Sequence, residues 1–241
     1  AGDEVDGDRI VAVREAAGQK GDRSWYEFRA QSVIDGKMEA QIMPALLGWV
    51  KAFPEPKSYN LSIELVKQRA GNMDNNMLLD WGRLMWAAGA MTTGNNYLEY
   101  ADAAIERGMP NEADMVLKEA ITKKLIDPSK QNVGEIVRLA ASKNTETKAA
   151  LPGLEKEAKA SPRIALVVAD TLANLGQHEK AVGFYKGLIG NTVVDQDTVN
   201  LRMGAALLKT GDKAGAKSAF DAVKAGPRAQ IAQFYGVLAG A

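Results

Sequence analysis

The chain contains no cysteine and a single histidine, His178, among its 241 residues. Without thiols there is no disulfide framework, no thiolate zinc or iron–sulfur site and no cysteine nucleophile. One imidazole also excludes a multi-histidine metal centre. A charge of one sign is missing too: 30 lysines and arginines balance 30 aspartates and glutamates, for a formal net charge of zero. Composition therefore supplies no bulk attraction to nucleic acid or to an anionic membrane. The longest nearly apolar run, Ile42 to Val50, contains Pro44 and is about half of the ~20 residues a membrane-spanning helix requires. Sustained strand alternation is absent as well, and the one β-branched cluster, Thr192 to Val194, falls in a connection. Catalytic signatures are equally scarce. There is no GxSxG, HExxH or GxGxxG pattern, and the segment Gly211-Asp-Lys-Ala-Gly215-Ala-Lys217-Ser218 is one residue short of the phosphate-binding spacing. No cofactor and no metal are expected.

What is present is helical periodicity. With 46% hydrophobic and 25% charged residues the composition is that of a folded globular chain. From Ser24 onward apolar residues recur at three- and four-residue spacing, interrupted only by short glycine, proline, asparagine or aspartate breaks. Residues 1–23 differ. Asp3, Glu4, Asp6 and Asp8 lie among glycines in an order unlike a calcium loop, so a flexible acidic arm is expected there. Because the first residues are Ala-Gly-Asp-Glu, the expectation is a mature chain left by signal-peptide cleavage and an exported, periplasmic location, with the cytoplasm as the alternative. Asp127-Pro128, Ser161-Pro162 and Gly226-Pro227 each place a proline at a first helical position, and Asn111 with Asp114 has the spacing of a cap. These marks predict helices over 24–35, 37–53, 58–70, 75–90, 95–107, 111–124, 129–142, 146–160, 161–175, 178–190, 196–210, 213–225 and 227–239. That is six antiparallel hairpins and one extra helix, the short connections leaving no room for another arrangement.

A repeat underlies the periodicity. Gly204, Leu207, Gly211, Ala216, Phe220 and Val223 form a ladder with spacings of 3, 4, 5, 4 and 3. The same ladder occurs as Ala169, Leu172, Gly176, Ala181, Tyr185 and Leu188, and again as Ala101, Ala104, Gly108, Ala113, Leu117 and Ala120. The turn glycines are 68 and 35 residues apart, so one whole unit fits between the first two, with Ser142 at its turn, followed by Leu151 and Leu154. Small residues in the ladder let paired helices approach closely, and the aromatic residue fills the space between one hairpin and the next. This pattern of 34-residue helix-turn-helix units resembles the tetratricopeptide repeat over about Asn95 to Gly226. The resemblance implies an all-α fold, a right-handed superhelix of stacked antiparallel hairpins, closed by a C-terminal capping helix that carries Ile231, Phe234, Tyr235 and Leu238. Residues 24–94 read as diverged hairpins continuous with the repeats over 95–241, and residues 58–90 as one such hairpin. All four tryptophans, Trp25, Trp49, Trp81 and Trp86, fall in the diverged part, either as filling for uneven gaps or as an aromatic recognition patch.

The resemblance also implies a non-enzymatic protein-interaction scaffold. Members of the family bind a protein or peptide segment in the concave groove, through first-helix positions that here are Asn95, Glu99, Asp102 and Glu106, then Arg163, Asp170 and Asn174, then Arg202 and Lys209. Some members grip a C-terminal carboxylate with lysine and asparagine. This chain has Leu98, Leu166 and Leu201, then Asp102, Asp170 and Ala205, at those places, which speaks against such a grip. The alternative function is a binding module for a glycan or envelope polymer that stacks on the four tryptophans.

Overall fold

A computed structural model describes residues 17, 21–224 and 226–240; nearly all of the acidic arm expected over 1–23 lies outside them. The described residues form twelve α-helices and no strand: α1 (Arg23–Asp35), α2 (Glu39–Ala52), α3 (Pro56–Ala70), α4 (Asn75–Ala87), α5 (Gly94–Glu106), α6 (Pro110–Thr122), α7 (Gln131–Glu157), α8 (Pro162–Asn174), α9 (His178–Leu188), α10 (Gln196–Thr210), α11 (Lys213–Asp221) and α12 (Gly226–Gly240). Each helix packs on its neighbour in the chain, as a stacked helical array requires.

The turns show why. Gly89, Gly108, Gly176 and Gly211 all take positive φ, from 65° to 83°. In each case the next residue donates its amide five residues back, Ala90 to Met85, Met109 to Ala104, Gln177 to Leu172 and Asp212 to Leu207. This is the Schellman arrangement, which only glycine adopts without a Cβ penalty. Gly89 belongs to the same set as the ladder glycines, so the repeat-like turn extends one hairpin toward the N-terminus, and α4 packs more extensively on α5 than on α3.

The close approaches expected of small residues are present. A Cβ on Gly204 would lie 2.4 Å from Phe220, and one on Gly82 would lie 2.5 Å from Tyr100. At the helix starts, Ser161 Oγ accepts the amide of Ile164 at 3.4 Å, as predicted. Gly226-Pro227 places its proline in the first turn of α12, and the remaining two sequence signals act differently. Helix α6 begins at Pro110, so Asn111 sits inside it with a buried side chain. Asp127 accepts from the amide and hydroxyl of Ser129 in a turn ahead of α7.

The largest departure is α7, 27 residues long, where two helices broken near Ser142 are expected. No hairpin turn forms at Ser142. The stretch from Ser142 to Thr145 has no glycine or proline, and two of its side-chain donors find acceptors without breaking the helix. Asn144 Nδ2 donates to Asp114 Oδ2 at 2.6 Å, and Thr145 Oγ1 donates back to the carbonyl of Ala141 at 3.1 Å.

Helix α12 does more than cover the last hairpin. Beyond α10 and α11 it packs on α2 and α4, so the end of the array returns to its beginning. Phe234 meets Trp81 edge-on at 6.1 Å and Tyr59 at 6.4 Å, while Tyr235 stacks on Phe220 at 5.0 Å. Trp81 and Trp49 belong to this core; Trp25 and Trp86 are half-buried.

Candidate ligand cavity

Closure by α12 brings charged residues from five helices into the middle of the array. Helix α4 contributes Asp80 and Arg83, α6 contributes Glu112, α8 contributes Asp170, α10 contributes Arg202 and α12 contributes Arg228. Arg83 binds Glu112 with both arms, Nε to Oε1 at 2.7 Å and Nη2 to Oε2 at 2.8 Å. Arg202 bridges two acids, donating from Nε to Asp80 Oδ1 at 3.1 Å and from Nη1 to Asp170 Oδ2. Arg228 Nε completes Asp80 through Oδ2 at 2.9 Å.

Neutral donors fill most of the remaining valences. Tyr185, the aromatic of the second ladder, donates to Asp170 Oδ1 at 2.6 Å; Tyr100 donates to Glu112 Oε1, and Asn174 Nδ2 to Glu112 Oε2 at 2.7 Å. Three guanidinium groups thus face three carboxylates whose oxygens all accept at least one bond. Such a balance is what makes buried charge tolerable.

Protonation follows from the geometry. Burial alone would raise the Asp80 carboxyl, but Arg202, Arg83 and Arg228 outweigh it and hold the group below its ordinary value. Tyr100 and Tyr185 are pushed well up, first by burial and then by Glu112 and Asp170 respectively, so both remain hydrogen-bond donors. Arg83 and Arg202 are raised against the burial penalty by their carboxylate partners.

Above this network lies a cavity of about 430 Å³. Asp80, Arg83, Asp170 and Arg202 form its charged floor, and Trp86, Met115, Ala173, Ala205, Leu208 and Leu238 are among its apolar walls. Lys209 and Lys213, both exposed, stand at the rim with His178. The Lys209 ammonium is 5.0 Å from the centre of the Trp86 ring, and Trp86 Nε1 donates to Glu119 Oε2 at 2.7 Å, which fixes the indole plane. His178 is held below its ordinary pKa by burial and then by Lys209.

Of the groove residues picked from the sequence, the structure gathers Asp170, Asn174 and Arg202 into the network and Lys209 onto the cavity rim. Asn95, Glu99, Asp102 and Glu106 instead form one exposed stripe along α5, and Arg163 is exposed at the start of α8. Burial and the neighbouring Glu106 raise the Asp102 carboxyl, while Glu99 pairs with Lys67 on α3. Asp80, Arg83, Glu112 and Arg228 were missed. Their signal is faint: Asp80 and Arg83 are three apart in a helix otherwise rich in large apolar residues, and Glu112 has the spacing of an ordinary first-turn acid. Among the described residues no group of acids and histidine has the arrangement of a metal site, and no helix is long and apolar enough to cross a membrane. Comparison of the chain with protein-family models, curated proteins and solved structures returns no match.

Proposed function

We propose that the protein is a non-enzymatic binding scaffold of the tetratricopeptide kind, a right-handed superhelix of hairpins that receives a protein or peptide segment on its concave side and anchors it in the central cavity. The observation that carries this reading is the cavity. Its volume, about 430 Å³, falls within the roughly 300–1,000 Å³ of small-ligand sites, and its floor is pinned by ion pairs between helices far apart in the chain. Asp80, which its arginines hold below the ordinary carboxylate value against the cost of burial, is poorly suited to exchanging protons near neutrality, which supports recognition over acid–base chemistry. The exposed α5 stripe of Asn95, Glu99, Asp102 and Glu106, with Arg163 on α8, offers charged contacts for the rest of the segment.

Selection of a random dodecapeptide display library on the intact protein tests the proposal. Enriched peptides should bind at least tenfold more weakly to Ala205→Trp, which fills the cavity, and to the triple reversal Glu99→Lys, Asp102→Lys, Glu106→Lys, with both variants folded by circular dichroism. Absence of any enriched peptide, or peptides indifferent to both variants, would sink the scaffold reading.

A further inference from the structure

We infer that the cavity selects an uncharged body, aromatic or branched and apolar, and discriminates against ligands that carry a charge of either sign. The inference rests on the cavity being the recognition centre, as proposed above, and adds the chemistry of what enters it. The charged groups around the space match in number. Arg83, Arg202, Arg228 and Lys209 stand against Asp80, Glu112, Asp170 and Asp195, with Asp195 Oδ2 accepting from Arg228 Nη1 at 3.1 Å. Lys209 and Asp195, the outer members of the set, are exposed. Lys213 at the rim has a partner of its own. His178 adds no charge near pH 7, because burial and then Lys209 hold it below its ordinary value.

Within the network each charge is already answered. Both oxygens of Asp80 accept from arginines, those of Asp170 from Tyr185 and Arg202, and those of Glu112 from Arg83, Tyr100 and Asn174. All three nitrogens of the Arg83 guanidinium face acids: Nε and Nη2 hold Glu112, and the buried Nη1 lies 3.6 Å from Asp80 Oδ1, within ion-pair reach. A carboxylate or an ammonium entering this space would leave water and bring a charge for which the floor holds no unmatched counterpart. An unmatched ion is costly to bury whichever its sign.

What an uncharged ligand gains is set by the walls. Trp86, Met115, Ala173, Ala205, Leu208 and Leu238 border the space, and the Trp86 indole is held by its bond to Glu119 and by Lys209 over its ring. A volume of about 430 Å³ admits one large aromatic or branched body, whose apolar surface leaves water as it enters. A small polar molecule would leave those side chains wet.

Isothermal titration of the whole protein near pH 7 with 2-naphthamide, 2-naphthoate, 2-naphthylmethylamine and acetamide tests the inference. Saturable binding of 2-naphthamide is expected, at least tenfold weaker for the naphthoate and for the amine, and undetectable for acetamide. Ala205→Trp should abolish naphthamide binding and Leu208→Gln should weaken it about fivefold, with both variants folded by circular dichroism. Naphthoate or the amine binding as tightly as the amide, folded variants that bind it as the wild type does, or no saturable binding of the amide up to millimolar concentrations would overturn it. Competition with the display-selected dodecapeptides separates the two proposals. Displacement by naphthamide supports one uncharged anchor for free ligand and peptide side chain. Peptides that bind undisturbed by saturating naphthamide refute the cavity as their anchor and spare the scaffold. Naphthamide binding without any selected peptide spares the cavity and removes the scaffold.

Discussion

Replacing Gly204 by alanine tests the close helix approach on which the ladder depends. In an open helix the change is favourable by about 1 kcal/mol, because alanine loses less backbone entropy than glycine. At Gly204 the added carbon would sit 2.4, 2.7 and 2.9 Å from the Cε1, Cδ1 and Cζ atoms of Phe220, where contact distances are about 3.5–4.0 Å. Phe220 is buried and lies nearly parallel to Tyr235, 5.0 Å away with 9° between the planes, so its ring cannot retreat without disturbing the packing of α12. Overpacking costs roughly 1–3 kcal/mol, and contacts this short put the cost in the upper part of that range, about 2–3 kcal/mol, so after the gain of about 1 kcal/mol a net destabilisation of about 1–2 kcal/mol is expected. In a chain of this size that lowers the melting temperature by about 2–8 °C in calorimetry or thermal circular dichroism. Gly183, exposed on α9 with nothing within 4 Å of a built Cβ, is the control. Gly183→Ala should raise the melting temperature by about 1–4 °C. Adding Phe220→Leu to Gly204→Ala should cost less than the two changes taken separately, since the smaller side chain makes room for the methyl. If Gly204→Ala stabilises as much as Gly183→Ala, or the pair is strictly additive, the close approach is refuted.

Two further perturbations address the centre of the array. Arg202→Met removes one donor from Asp80 and one from Asp170 and leaves both acids buried, so urea unfolding should show a loss of about 3–5 kcal/mol. A loss below about 1 kcal/mol would show that the network carries little of the fold. His178, the one histidine, gives a single imidazole titration by NMR, and its midpoint should lie below the ordinary 6.5 because burial and then Lys209 disfavour the cation. Its contribution to stability is therefore full above pH 6.5 and diminishes as the pH falls below that toward the folded-state midpoint. Lys209→Gln removes the second cause and should move the midpoint upward; a wild-type midpoint at or above 6.5 contradicts the burial.

Sequence reading succeeded where contacts are short-range. The turn glycines are legible because positive φ has few other solutions, and Gly204 with Phe220 is legible because a hairpin brings together residues 16 apart at a fixed register. Gly89 lies only 19 residues before Gly108, off the 34-residue period, yet it makes the same turn. The 34-residue period is looser than the local hydrogen-bond pattern that ends each helix. Helix α7 shows the converse failure. The period of the repeat puts a turn at Ser142, but no glycine stands there and Asn144 finds its partner on α6, a contact invisible to any local rule.

The candidate site was only half legible, and the division is one of sequence distance. Asp170, Asn174, Arg202 and Lys209 were found because the ladder puts them on first helices, although it marks them as surface contacts. Their burial depends on partners that no period connects: Arg202 reaches Asp80 across 122 residues, and Arg228 reaches it across 148. The second bond exists because α12 folds back onto α4, where Phe234 packs on Trp81, two residues that taken singly look like ordinary core. Once the array is closed, the interior cannot be solvated as a groove would be, and a lone charge there would be costly. The only inexpensive arrangement is matched charges, and the chain supplies three arginines for three acids. Zero net charge over 241 residues is uninformative about a surface, but the same equality inside the closed array, three arginines against three acids, is what makes burying them tolerable.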